Sequence, residues 1–483
     1  MLNLKRKHFW CAVAAGFVAI LIFAVTVMVP LYLSSAAVKN KIQTAVQEKL
    51  SGKVSYDKID ISLFPRPRVT ITGLSLAYPR TFKGTLRSLS IAPQILPLFR
   101  GRVQFSKIRI QEPDFRIAVP TAKTDKTSEA PTLEEAKENI RSVLGYLQLI
   151  GPRLVVEMDN GKFLLRKDHR DFLSLKNVTV HFNAPPDDMH FLVKAGTDRW
   201  GDFTLGGTYS FTEAQTEIRD LTLSLGHSSL TDYSALLTWG RDPRIEIRSG
   251  RAKFALQEIY EWLKSVDSLT PFMKELSSLK GTLVITSMKG QGLLSQPGKL
   301  RMRLTGEARR IELASPKLPA AVTVDYSFAV EDNLVEVTEF SARMGSSSLS
   351  HVSALLTGRE DPVLELRRGN ATINITEVFG WRRWHPALEH ILEGVDTLAG
   401  KLTLTELKIN GRLYRPLAWK VIAGGEFDHI LFHAPVLPGP LGLVKGTFSY
   451  VPDKLAFGLK DATILDSTIT GTAVVSGITT TVS

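Results

Sequence analysis

From residue 53 onward the apolar side chains fall mostly at every second position in short runs. That is the rhythm of strands with one apolar and one polar face. In ISLFPRPRVTITGLSL (61–76), Ile61 and Leu63 share a face with the preceding Ile59, and Val69 and Ile71 continue it beyond Pro65 and Pro67. Proline brings no N–H to a ladder, so this pair belongs in a turn or at a sheet edge. Gly73 permits a bulge that returns Leu74 and Leu76 to the same face. Further strands are predicted over 103–110 and 115–119, after a short apolar helix or turn over 95–99. Beyond about residue 153, short strands such as 283–285, 300–304, 402–404 and 421–422 recur between Gly, Asp-Pro and Asn-Gly punctuation. This predicts an extended antiparallel sheet. Helical spacing interrupts it near 256–276 and 377–393. The polar stretch 120–139 reads as an insertion running into a helix at about 133–149.

The first 52 residues follow another pattern. Lys5, Arg6 and Lys7 precede an uncharged apolar run over 9–33, and no charge returns until Lys39. About 20 apolar residues cross a bilayer core as a helix. The cations on the N-terminal side place that end in the cytoplasm. The bulk of the chain then lies on the far side, the periplasm in a Gram-negative cell. A cleaved signal peptide is the competing reading, since SSAA (34–37) resembles a cleavage site, but signal h-regions span only about 7–15 residues. A helix is predicted over 36–52, with Val38, Ile42 and Leu50 on one face.

The chain also repeats. LGHSSLTDYSALLTWGRDPRIEIRSG (225–250) aligns with MGSSSLSHVSALLTGREDPVLELRRG (344–369), and the same offset of 119 pairs Leu283 and Ile285 with Leu402 and Leu404. Copies are expected near 225–343 and 344–464, with a partial third over 465–483. A unit this long that stops in mid-repeat points to an elongated array growing by addition; a pair of duplicated globular domains is the other arrangement. The expected organisation is an anchor (1–35), a helix-plus-strands module (36–119), an insertion and helix (120–150) and a repetitive β region (151–483).

Charge and chemistry narrow the function. Residues 1–120 hold 18 Lys and Arg against 5 Asp and Glu, whereas the whole chain is +12, so the excess positive charge sits beside the membrane run. Arg66, Arg68, Arg100 and Arg102 are its candidates for contact with anionic headgroups. Nucleic acid is not an expected partner, because a segment tethered outside the membrane does not meet it. Cys11 is the only cysteine, which excludes an internal disulfide. P-loop, G-x-S-x-G, H-E-x-x-H and C-x-x-C patterns are absent, so no catalytic residue, metal site or cofactor is expected. His429 and His433 share a strand face but stand roughly 13 Å apart, too far for one ion. His385 and His390 read as part of a solvated helix, Asp187 and Asp188 as a turn, and WRRW (381–384) as aromatic cover for a sheet edge.

The run KIDISLFPRPRVTITGLSL (58–76), together with LSIAPQILPLFRGRVQFSKIRIQEPDF (89–115) and the apolar anchor, resembles the N-terminus of the AsmA family. GSSSLSHVSALLTGREDPVLELR (345–367) and GEFDHILFHAPVLPGPLGLVKGTFSY (425–450) resemble the AsmA-like C-terminal pattern of longer members. The resemblance implies a mainly β protein: a transmembrane helix, then an elongated, curved antiparallel sheet forming a groove, with a few short amphipathic helices. It implies inner-membrane anchorage, a periplasmic body, and phospholipid transfer in support of outer-membrane biogenesis. Ile59, Ile61, Leu63, Val69, Ile71, Leu283, Ile285, Leu402 and Leu404 would then line the groove. The alternatives are a dry sandwich core at these positions, and a non-transporting assembly factor that pairs its sheet edge with outer-membrane proteins. At about 4.8 Å per strand, some 25 strands would give a groove on the order of 100 Å.

Overall fold

The fold comes from a computed structural model. It describes residues 53–476 except 63–65, 79–81, 95–96, 98–99, 101, 103, 120–136, 139–140, 143–144, 146–149, 168–169, 185–187, 265–274, 317, 359–360, 385–391, 416–417, 436–438 and 465–466. The expected anchor with Lys5, Arg6 and Lys7, the helix over 36–52 and Leu63 lie outside the described residues. Among the described residues no helix is long and apolar enough to cross a membrane. Those residues form 24 strands and few helices. They fall into two units, one up to Gly226 and one from His227.

In the first unit, β1 (Lys53–Ser55) and β2 (Lys58–Ser62) pair in succession with β3 (Arg68–Tyr78), which pairs with β4 (Phe82–Pro93). Pro67 falls between β2 and β3, where no ladder N–H is needed. Gly73 adopts φ +65°, and this step lets Ile71 and Leu74 join one apolar cluster with Tyr56, Ile59 and Leu86. β5 (Phe105–Gln111) and β6 (Asp114–Val119) are two halves of one line, interrupted at Glu112 and Pro113. Both pair antiparallel with β4 and parallel with β7 (Leu154–Lys167). The sheet is therefore mixed, which corrects the all-antiparallel expectation. A parallel neighbour needs a long crossover connection, and the stretch 120–153 supplies it. β8 (Arg170–Ala184), β9 (Met189–Thr197), β10 (Gly201–Phe211) and β11 (Gln215–Leu225) follow as an antiparallel meander.

The second unit is antiparallel throughout, each strand pairing with the next. Its first copy of the repeat holds β12 (Ser228–Thr238), β13 (Arg244–Ala255), helix α1 (Leu256–Lys264), β14 (Ser278–Leu293), β15 (Arg301–Ala314), β16 (Val322–Glu331) and β17 (Leu334–Met344). The second holds β18 (Ser347–Thr357), β19 (Val363–Asn374), helix α2 (Ile375–Gly380), β20 (Thr397–Arg412), β21 (Lys420–His433), β22 (Leu441–Val451) and β23 (Lys454–Ile464), and β24 (Ser467–Ser476) follows. Elements from β12 to β16 each begin 119 residues before their counterparts. β22 has 11 residues against 10 in β16, so from there the offset is 120. Each helix is latched to the turn that opens its copy. The Glu258 carboxylate accepts from the His227 backbone N–H (2.9 Å) and the Ser228 hydroxyl (3.0 Å). Glu377, 119 residues on, accepts from Ser346 N–H (3.0 Å) and the Ser347 hydroxyl (3.4 Å).

Many ladders step register in mid-strand, and the residue at the step has positive φ. Asn160, Asn177 and Asp220 do so in the first unit, and Asp232, Arg310, Glu339, His351 and His429 in the second. Asn, Asp and His tolerate this left-handed conformation better than most side chains. Such bulges bend a strand and increase its twist. Asp232 and His351 are 119 apart, as are Arg310 and His429, so the bend belongs to the repeat. Opposite them lie Gly281 (φ +111°) and Gly400 (φ +118°), where a Cβ would stand 2.5 Å from the Arg310 and His429 carbonyl oxygens.

Candidate functional site

Directly opposed residues in an antiparallel ladder project from the same face, so the register sorts the two faces of the second unit. Leu230, Ala252, Ile285, Gly306, Phe328 and Val337 stand opposite one another from β12 to β17. Ala354, Leu366, Ile409 and Val421 carry the same row to β21. A second row runs through Ile311, Val324, Ala342, Leu349 and Ala371, and on through Leu404, Gly425, Phe448, Phe457 and Ala473 in β24. Neither row contains a polar side chain. Neighbouring positions make the reverse face: Lys280, Glu312, Thr323, Arg343, Ser348 and Thr372 form one polar row from β14 to β19.

The apolar face is only partly covered. Ile285, Phe328, Val337, Ile409 and Val421 are half-buried. Among the described residues, the largest side chains buried beyond 98% are Leu154 and Pro113, both in the first unit. A sandwich core would bury its large aliphatic residues to that extent. In the second unit Val352, Phe427 and Ile430 are buried, at 3, 4 and 8% exposure, while Ile285, Phe328, Val337, Ile409 and Val421 stay only half-buried.

The residues expected to line an apolar surface divide accordingly. Leu283 stands between Phe254 and Ala308, Ile285 between Ala252 and Gly306, and Leu402 between Ile373 and Phe427. All three are half-buried on the apolar face, while Leu404, between Ala371 and Gly425, is 8% exposed. In the first unit Ile59 opposes Ile71, and Ile61 opposes Val69. Ile59 is buried in its cluster, and the other three, half-buried like Leu283 and Ile285, pack against it.

The cations lie elsewhere. Arg68 precedes Val69 on the strand and so projects from the other face. With Arg66, Lys107 and Arg109 it lines a hollow of about 620 Å³ whose wall includes Ser90, Gln94 and Ser106. Lys107 Nζ is 2.5 Å from Glu157, and Arg109 Nη2 is 2.9 Å from Asp159. The hydrogen bond with Asp159 raises the pKa of Arg109 further above its already basic value. The side chains of Arg66 and Arg68 have no hydrogen-bonding or ionic partner among the described residues. Arg100 and Arg102 do not line the hollow. Their backbone N–H groups both donate to the Pro97 carbonyl (3.0 and 2.9 Å), and Pro97 forms part of the wall. Sequence reading missed Lys107 and Arg109, although their alternation with Ile108 and Ile110 marks them as one polar face.

Residues 7–129 match the AsmA family. The AsmA match spans β1 to β6 and all four cations of the hollow; the repeats from β12 onward lie beyond it. No curated protein is similar enough to the chain to match it. Among the described residues no three His, Cys, Asp or Glu side chains are grouped to hold a metal ion. His429 sits at its bulge 2.8 Å from Asp428, and His433 lies 3.1 Å from Asp396; His385 and His390 fall outside the described residues.

Proposed function

We propose that this protein binds phospholipid acyl chains on the apolar face of its repeats and transfers lipid across the cell envelope, supporting outer-membrane biogenesis. The observation that carries this reading is the pair of wholly apolar rows on one face of the repeats, where Ile285, Phe328, Val337, Ile409 and Val421 stay half-buried. Antiparallel sheets with one apolar face need a second layer, and lipid tails supply one without further protein. The AsmA match over the N-terminal quarter and the apolar run over 9–33 favour anchorage in the inner membrane, with the N-terminus cytoplasmic and the sheet periplasmic. Thirteen strands at about 4.8 Å each make the second unit's ladder roughly 60 Å long. Transfer is non-covalent, needs no catalytic residue and uses no cofactor: tails exchange one half-buried surface for the next.

The test is native mass spectrometry of the full chain released from a non-phospholipid detergent. Retained phospholipid, depleted by a charge on the apolar face, is the expected result. A lipid-free spectrum under conditions that preserve lipid on a control lipid-binding protein would sink the reading. A second reading, a scaffold that lends a strand edge to outer-membrane proteins, is favoured by β24, whose ten residues are all exposed and uncharged.

A further inference from the structure

The hollow on the polar face has chemistry that acyl chains do not use. Four cations converge on it from three places: Arg66 in the turn before β3, Arg68 at the start of β3, and Lys107 and Arg109 on β5. Lys107 and Arg109 are already balanced by Glu157 and Asp159 on β7, whereas Arg66 and Arg68 are exposed and have no acidic partner among the described residues. No Asp or Glu lines the hollow. Its polar wall is held in place: the Ser106 hydroxyl donates to the Ala92 carbonyl (3.0 Å) and Gln94 Nε2 to the Phe105 carbonyl (3.2 Å). A planar guanidinium fork with no carboxylate to satisfy suits a phosphate.

We propose that this hollow binds the phosphate of an anionic phospholipid headgroup at the membrane surface, docking the start of the sheet onto the bilayer. Two observations favour a lipid over a free anion. Pro67, Ala92, Pro93 and Pro97 set an apolar wall beside the cations, where the glycerol and first ester of a lipid fit. The apolar run also ends 20 residues before Lys53, so an extended tether would keep the hollow within roughly 70 Å of the bilayer; this second point rests on the anchoring proposed above. The docked lipid is not the cargo. Arg68 and Val69 project from opposite faces, so the hollow lies on the polar side of its own unit, whereas the cargo proposed above lies on the apolar rows of the repeats from β12 onward.

The experiment is calorimetric titration of the full chain, held in a neutral detergent, with dihexanoyl phosphatidylglycerol below its micelle-forming concentration. Dihexanoyl phosphatidylcholine and inorganic phosphate are titrated in parallel. The anionic lipid is expected to bind the native chain. Binding should weaken at least tenfold in the Arg66→Glu/Arg68→Glu variant and in 0.5 M salt, as screening at about 3–5 Å requires. Arg343→Glu/Lys445→Glu, exposed reversals on β17 and β22, matches the charge change of the double variant and should leave the affinity unchanged. An affinity that survives the double reversal, or no binding to the native chain, overturns the site. Equal binding of phosphatidylcholine overturns anionic recognition, and equal binding of inorganic phosphate overturns the lipid as its source. Should the double reversal not fold, by circular dichroism, Arg66→Gln/Arg68→Gln replaces it with the same criterion. The phospholipid that a charge on the apolar face removes in native mass spectra, measured in the Arg66→Glu/Arg68→Glu background, reports on that face alone, so loss of either property leaves the other standing.

Discussion

Replacing Ile285 by aspartate separates a bare apolar face from a covered core. Ile285 is half-buried between Ala252 and Gly306. Full burial of an isoleucine is worth about 1.5–3 kcal/mol, so the part already shielded accounts for about 1.5 kcal/mol. The poorer strand preference of aspartate adds up to about 1 kcal/mol. Because the new carboxylate can reach water, no burial penalty follows, and the total is about 2 kcal/mol. In a unit of this size that lowers Tm by roughly 4–8 °C. Beneath a second protein layer, the same carboxylate would cost more than about 4 kcal/mol. Thermal melts of the full chain by circular dichroism measure the loss, and native mass spectrometry measures retained phospholipid, expected to fall several-fold. A Tm loss beyond about 15 °C would show the face to be closed. A modest loss with undiminished lipid would show that lipid sits elsewhere.

Leu404, at 8% exposure, should behave differently: Leu404→Ala is expected to cost about 2–4 kcal/mol against about 1 for Ile285→Ala, and equal melting losses would contradict the burial difference. Gly281→Ala and Gly400→Ala each place a Cβ against a backbone carbonyl at positive φ and should cost about 3 kcal/mol; Gly298→Ala, which meets nothing within 4 Å, should stay within about 0.5 kcal/mol, and melts that do not rank the three this way refute the bulge geometry. Burial acts to raise the pKa of Glu258, but hydrogen bonds from His227 and Ser228 outweigh it and the net shift is downward. A lowered carboxyl pKa stabilises fully above the unfolded value and loses that contribution as pH falls through the folded one. The Tm gap between native chain and Glu258→Gln should therefore persist at neutral pH and close below about pH 4.3; a gap that is flat across that range would show that the latch is not ionic.

The alternation of faces was legible because its period is two, and the repeat because whole segments recur 119 residues apart. Strand length was not. The patterns over 283–285 and 402–404 are fragments of strands that run Ser278–Leu293 and Thr397–Arg412. At Thr286 and Thr405 the ladders step, so the apolar phase passes from Leu283 and Ile285 to Met288, and from Leu402 and Leu404 to Leu407. One long strand thus reads as two short ones. The αL residues at other steps, Asp232, Arg310, His351 and His429, are ordinary in sequence; only the register reveals them. Parallel pairing of β5 and β6 with β7 depends on the path of a connection, which carries no local signal. The basic hollow was half legible: Arg66 and Arg68 stood out for want of neighbouring acids. Their meeting with Lys107 and Arg109 depends on β4 lying between β3 and β5, a matter of topology.

The crease formed by the mid-strand bulges separates two properties that most binding sites couple. In a pocket shaped by packed side chains, changing the lining changes the shape. Here the bend is set by backbone conformation at Asp232, Arg310, His351 and His429 and by the close approach of Gly281 and Gly400. None of the apolar row residues takes part in it. The lining can therefore vary among Ile, Leu, Val, Phe and Ala, and adapt to a different cargo, while curvature is inherited unchanged with each added repeat.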